Sequence, residues 1–111
     1  MGYLLRWVNE SARDKWLALK ASTSEDKRLY DAIERKFEML RYDPFRGDSI
    51  KKERIPKAYE KEYALDNLLK LNINQYWRLL YYVKSLDRNT TMVIIIDFMS
   101  HNEYNRLFGY D

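Results

Sequence analysis

With 111 residues, 46% of them apolar and 15% aromatic, the chain can build a real hydrophobic core and is excluded from the disordered class. The absence of cysteine and a single histidine, His101, exclude disulfides, thiolate chemistry and a zinc ribbon, and argue against a protein-only metal site. The net charge of +3 is modest, no apolar run is long enough for a bilayer, and Arg6 interrupts the N-terminal Leu4-Leu5 pair, so a soluble cytoplasmic protein is expected.

Tyr3 to Val8 is compatible with a short strand or with the start of a helix, and periodicity does not separate the two in so short a run. From Ser11 the spacing of Ala12, Trp16 and Leu19 predicts a helix. Ala21 to Ser24 breaks it. Ser22 with Glu25, or Thr23 with Asp26, then forms a capping box for a second helix. That helix carries Leu29, Ile33, Phe37 and Leu40 on one face and ends at Asp43-Pro44, because the residue before proline avoids the α region. Two helices joined by a short polar link form a hairpin that must bury its apolar face.

Gly47-Asp48 predicts a turn, Ser49 to Ile55 a polar edge strand closed by Pro56, and Lys57 to Ala64 a loop or a single helical turn. Three runs bounded by polar residues follow: Asn67 to Ile73, Tyr76 to Lys84 and Met92 to Met99. Their β-branched, aromatic and leucine content predicts consecutive antiparallel strands. The last is apolar on both faces, which marks a central strand covered twice, by the helical hairpin on one side and in part by the C-terminal segment on the other. Ser100 with Glu103 is a capping box that starts a final short helix, with His101 in its first turn, Tyr104 one turn on, and Gly109 as its stop.

Positive charge is concentrated between Arg46 and Lys61, where six basic residues face three acidic ones and account for the whole net excess. Such a strip suits a phosphate-bearing partner, or simply keeps an edge strand soluble. Phosphate loops, dinucleotide fingerprints, HExxH and glycine-supported Ser-His-Asp arrangements are absent, so no cofactor or metal is expected.

The run Tyr76-Trp77-Arg78-Leu79-Leu80-Tyr81 resembles the characteristic strand of the RelE/ParE superfamily of toxins. The aliphatic strand leading into Ser100-His101-Asn102-Glu103-Tyr104 is similar to that family's closing pattern. Gly47-Asp48-Ser49-Ile50-Lys51-Lys52, Ile55-Pro56 and Leu107-Phe108-Gly109-Tyr110 resemble a ParE-like branch. The likeness covers Pro44 to the C-terminus well and the helices in outline. It implies one toxin domain over residues 1–111, of the α+β class. A helical hairpin would pack on a twisted, mainly antiparallel sheet of about four strands, with a short C-terminal helix.

Functionally, the resemblance implies the toxin of a type II toxin–antitoxin system, with a cognate antitoxin as partner. Some relatives cut messenger RNA on the ribosome; others bind DNA gyrase without cutting, and a retained fold without toxicity is a third reading. Cleavage without a metal needs a base for the ribose 2′-OH, a cation for the charge developing at phosphorus, and an acid for the leaving oxygen. Arg78 matches the family's phosphate-contacting arginine; the alternative is a structural ion pair with Asp97 or Glu103. His101 suits acid or base work near neutral pH, or merely a hydrogen bond at the cap. Tyr104 matches the family's helix tyrosine, or packs in the core. Lys52, Arg54 and Lys70 are the candidate RNA-binding cations. Lys70 stands among Leu68, Leu69 and Leu71, so the dense basic cluster of the strongest nucleases is thinned.

Overall fold

The computed structural model describes residues 3–109. Its first element is a strand, β1 (Leu4–Trp7), which settles the ambiguity at the N-terminus. The helices α1 (Glu10–Leu19) and α2 (Ser24–Tyr42) follow. Asn9 caps α1 by accepting the Ala12 N–H at 2.8 Å, and Thr23 caps α2 by accepting the Asp26 N–H at 3.1 Å. Leu29, Ile33, Phe37 and Leu40 are buried, as their spacing predicts, and α2 ends one residue before Asp43-Pro44.

The remaining strands are β2 (Asp48–Ser49), β3 (Leu69–Asn72), β4 (Trp77–Ser85) and β5 (Thr91–Ser100). They form one sheet in the order β1-β5-β4-β3-β2. The sheet therefore has five strands rather than about four. All its pairings are antiparallel except β1 with β5, which runs parallel from Leu4↔Met92 to Trp7↔Ile95. Leu5 and Trp7 turn toward the helices, and this burial fixes the register of β1.

Both faces of the sheet are used. On one, Leu79, Tyr81, Val83, Val93, Ile95 and Phe98 pack with the α1–α2 hairpin. On the other, Leu80, Tyr82, Ile94, Ile96 and Met99 pack under α3 (Lys57–Tyr63) and α4 (His101–Phe108). The period-two alternation along β4 and β5 thus feeds two layers. A bulge interrupts it, because Leu80 faces Asp97 while Tyr81 faces Ile95. Asp97 meets Lys15 of α1 there at 2.8 Å, and Lys15 also donates to the Phe98 carbonyl at 2.8 Å.

The predicted strand over Ser49 to Ile55 is a correction. Only Ser49 and the preceding Asp48 pair with β3, and Lys52–Arg54 form a 3-10 turn. Ile50 and Ile55 explain it. Five positions apart on a strand they would face opposite ways, yet both pack into the second layer, so the chain must coil between them. Lys57–Tyr63 is likewise a helix longer than the single turn expected, held by Tyr59 and Tyr63 with ring centroids 5.7 Å apart. The Ser100–Glu103 capping box of α4 is formed, and Gly109 ends the helix at φ 74°.

Candidate nucleic-acid interface

Arg78 lies near the start of β4, between Asn72 of β3 and Met99 of β5. It shares the face of Leu80 and Tyr82, the side covered by α3 and α4. Its half-buried guanidinium has no ion pair among the described residues. The two acids considered as partners are engaged elsewhere, Asp97 with Lys15 and Glu103 with the Ser100 hydroxyl at 3.1 Å. Nη1 instead donates to the carbonyls of Asn74, Gln75 and Trp77 at 3.0, 3.3 and 3.2 Å. The fork is thereby oriented by neutral acceptors, and no carboxylate among the described residues neutralises its charge.

Those carbonyls belong to the tight β3–β4 connection. Asn74 Oδ1 accepts the N–H groups of Tyr76 and Trp77 at 2.8 and 3.0 Å, an Asx turn that fixes the loop. The Tyr76 carbonyl accepts the His101 N–H at 2.6 Å, which ties the loop to the start of α4. The rings of Tyr76 and His101 stand 5.9 Å apart, inclined at 52°.

Further along the same face a groove of about 460 Å³ is lined by Ser49, Ile50, Lys51, Arg54, Lys70 and Tyr104. Three of the six are basic. Lys70 Nζ lies 5.9 Å from the centre of the Tyr104 ring, 3.3 Å from Asp48 Oδ2 and 3.3 Å from Asn72 Oδ1. Tyr104 itself is only 7% exposed and packs on Phe108 at 4.6 Å, so it serves the core while walling the groove. Lys52 is exposed but is not among the groove's lining residues; the turn puts Lys51 there instead.

Gly47 and Tyr81 fix the chain at the entrance to β2, beside Lys70. The buried Tyr81 hydroxyl accepts the Gly47 N–H at 2.9 Å. A Cβ on Gly47 would lie 2.8 Å from both that hydroxyl and the Lys70 carbonyl, so no larger residue fits without displacement. Burial pushes the Tyr81 phenol up to about 12, partly offset by the Gly47 hydrogen bond.

Arg78, Lys70, Arg54, Tyr104 and His101 therefore come to one side of the sheet and its α4 end. Sequence reasoning missed Lys51 and Tyr76. The signal for Lys51 was the odd spacing of Ile50 and Ile55. For Tyr76 it was the turn-forming Asn74 beside an aromatic with no apolar partner at strand spacing.

A helical hairpin thus packs on one face of a mixed sheet, with a short terminal helix on the other. The chain is similar to the YoeB/ParE toxin from Agrobacterium tumefaciens, with a TM-score of 0.61 over 88% of this chain and 98% of that one. The identity is 17%, so the likeness is one of fold. No protein-family model matches the chain, and no curated protein matches it.

Proposed function

We propose that this protein is the toxin of a type II toxin–antitoxin system and acts as a metal-independent, ribosome-dependent messenger RNA endoribonuclease. The observation that carries the reading is Arg78, oriented by backbone carbonyls and without a carboxylate partner among the described residues. Lys70, Arg54 and Tyr104 line a groove further along its face, and His101 opens α4 against the loop that Arg78 bonds.

In this reading the ribose 2′-oxygen attacks the adjacent phosphorus, a P–O bond forms, and the bond to the 5′-oxygen breaks. The 2′-OH proton leaves to a base and the 5′-oxygen takes one from an acid. His101, the one imidazole of the chain, is the side chain this reading assigns to proton transfer. Arg78 stabilises the charge that grows on the phosphoryl oxygens. Lys70, Arg54 and Lys51 hold flanking phosphates, with Lys52 as an outer contact.

The cognate antitoxin is the expected partner in the cytoplasm. A second groove of about 750 Å³ supports this, with Val8, Tyr82, Met92 and Ile94 in its lining and Arg6, Arg13 and Lys84 around them. Neither α3 nor α4 lines it, and with three basic residues against one acidic, Glu10, its composition suits an apolar segment bearing acidic residues.

An alternative is a non-enzymatic toxin that grips DNA gyrase or another protein. It is favoured by the pairing of Lys70 with Asp48, which reduces the free positive charge. The deciding experiment expresses the wild type, Arg78→Ala and His101→Ala alone and maps messenger ends. Codon-phased cuts and toxicity lost in both variants support the nuclease. Toxicity with intact messenger overturns it.

A further inference from the structure

Tyr76 is 62% exposed and belongs to neither core layer, yet its backbone is fixed at both ends. Its N–H is held by Asn74 Oδ1 at 2.8 Å and its carbonyl by the His101 N–H at 2.6 Å. The Arg78 guanidinium bonds the carbonyls of the two residues before it, Asn74 and Gln75. A large aromatic ring is thus presented to solvent on a strapped loop, beside an imidazole at 5.9 Å and two positions from an arginine without an ion pair among the described residues. Packing does not account for this arrangement, since the ring buries little. The 52° inclination means that the two rings are not stacked on each other, so their faces are not used up by mutual contact.

Exposed aromatics interleaved with cations are what single-stranded nucleic acid uses, because every base has a face to stack and every link carries a phosphate. We infer that Tyr76, with His101 beside it, is a base-stacking platform for single-stranded RNA, seating the base next to the phosphate held by Arg78. This rests on the nucleic-acid reading above and adds the residue that positions the base. Stacking tolerates any base, so the platform supplies grip and alignment rather than sequence choice.

The test uses a 2′-O-methyl oligoribonucleotide of about ten nucleotides, which cannot be cleaved, and follows binding by fluorescence anisotropy over a range of salt. Tyr76→Phe is expected to bind like the wild type. Tyr76→Ala and Tyr76→Leu should bind about tenfold to a hundredfold more weakly, with an unchanged salt slope and an unchanged melting temperature. Lys70→Ala should instead reduce the salt slope by about one. Wild-type affinity in Tyr76→Ala and Tyr76→Leu, with weakened binding in Lys70→Ala, overturns the platform and leaves the nucleic-acid reading standing. Loss in Tyr76→Phe equal to that in Tyr76→Ala overturns it too, since the hydroxyl would then be what binds. Absence of RNA binding by the wild type overturns the platform, whereas the ribosome-dependent nuclease reading stands or falls on the mapping of messenger ends.

Discussion

Tyr81 does two jobs with one side chain. Its ring is fully buried against the α1–α2 hairpin, and its hydroxyl fixes Gly47 at the entrance to β2. Burial favours the neutral phenol, so the folded chain resists its ionisation. The stabilising contribution is therefore fully present below the unfolded value near 10 and is lost as pH rises toward about 12. A shift of this size corresponds to about 2 to 3 kcal/mol. Urea unfolding between pH 9 and 12 should show this fall, and Tyr81→Phe should flatten it. The slope will not vanish, because burial raises Tyr59, Tyr63 and Tyr82 in the same direction. At neutral pH the variant leaves the Gly47 N–H without its acceptor and should cost about 1 to 3 kcal/mol. Arg78 poses the opposite problem, a half-buried charge with no ion pair among the described residues. Arg78→Lys keeps the charge but cannot reproduce the planar fork. If the nuclease reading is right, primer extension on programmed ribosomes should show at least about a tenfold drop in cleavage for Arg78→Lys. Wild-type cleavage would mean that a point charge suffices.

At the scale of elements, the least regular part is the most instructive. Ala64 closes α3 at φ 51°, the single positive-φ residue other than glycine among those described. An L-residue pays about 1 to 2 kcal/mol there. Ala64→Gly removes that strain at the expense of a more flexible unfolded chain, about 0.4 to 1 kcal/mol. The exposed site should therefore gain up to about 1 kcal/mol, read as a higher urea midpoint with an unchanged slope. A lower midpoint would show that Ala64 is not strained. The same region marks where sequence reading stops. The α2 face, the three main strands and the α4 capping box were legible because each is written in local periodicity or cap chemistry. The 3-10 turn was not, since Ser-Ile-Lys-Lys-Glu-Arg-Ile alternates well enough to pass for an edge strand. Only the shared destination of Ile50 and Ile55 in the second layer betrays it. The placement of the candidate residues was legible to the same degree. Arg78, Lys70 and Tyr104 sit on regular elements whose facing can be counted, whereas the choice of Lys51 over Lys52 at the groove depends on the turn.

For the whole molecule, the parallel pairing of β1 with β5 joins residues almost a chain length apart, Leu4 with Met92 and Trp7 with Ile95. No local pattern specifies it, which is why the N-terminal run read as either helix or strand. It also means that the sheet is complete only when the C-terminal strand is present. Moreover, the two core layers are not separable, because neighbouring residues of β4 and β5 alternate between them: Leu79 and Tyr81 in one, Leu80 and Tyr82 in the other. Straightening or losing either strand empties both layers at once. The expected outcome is one cooperative unfolding transition, as for a single domain spanning the chain. Two sets of reporters test it. Trp7, Trp16 and Trp77 all pack on the hairpin layer, so tryptophan fluorescence follows that side. Methyl signals of Ile94, Ile96 and Met99 follow the other. Their urea midpoints should coincide. Leu5→Pro, which removes a backbone donor and breaks β1, should lower both together by several kcal/mol. If the methyl signals of the second layer survived while the tryptophans became exposed, β4 and β5 would hold α3 and α4 without the hairpin. The chain would then be two folding units sharing a sheet rather than one.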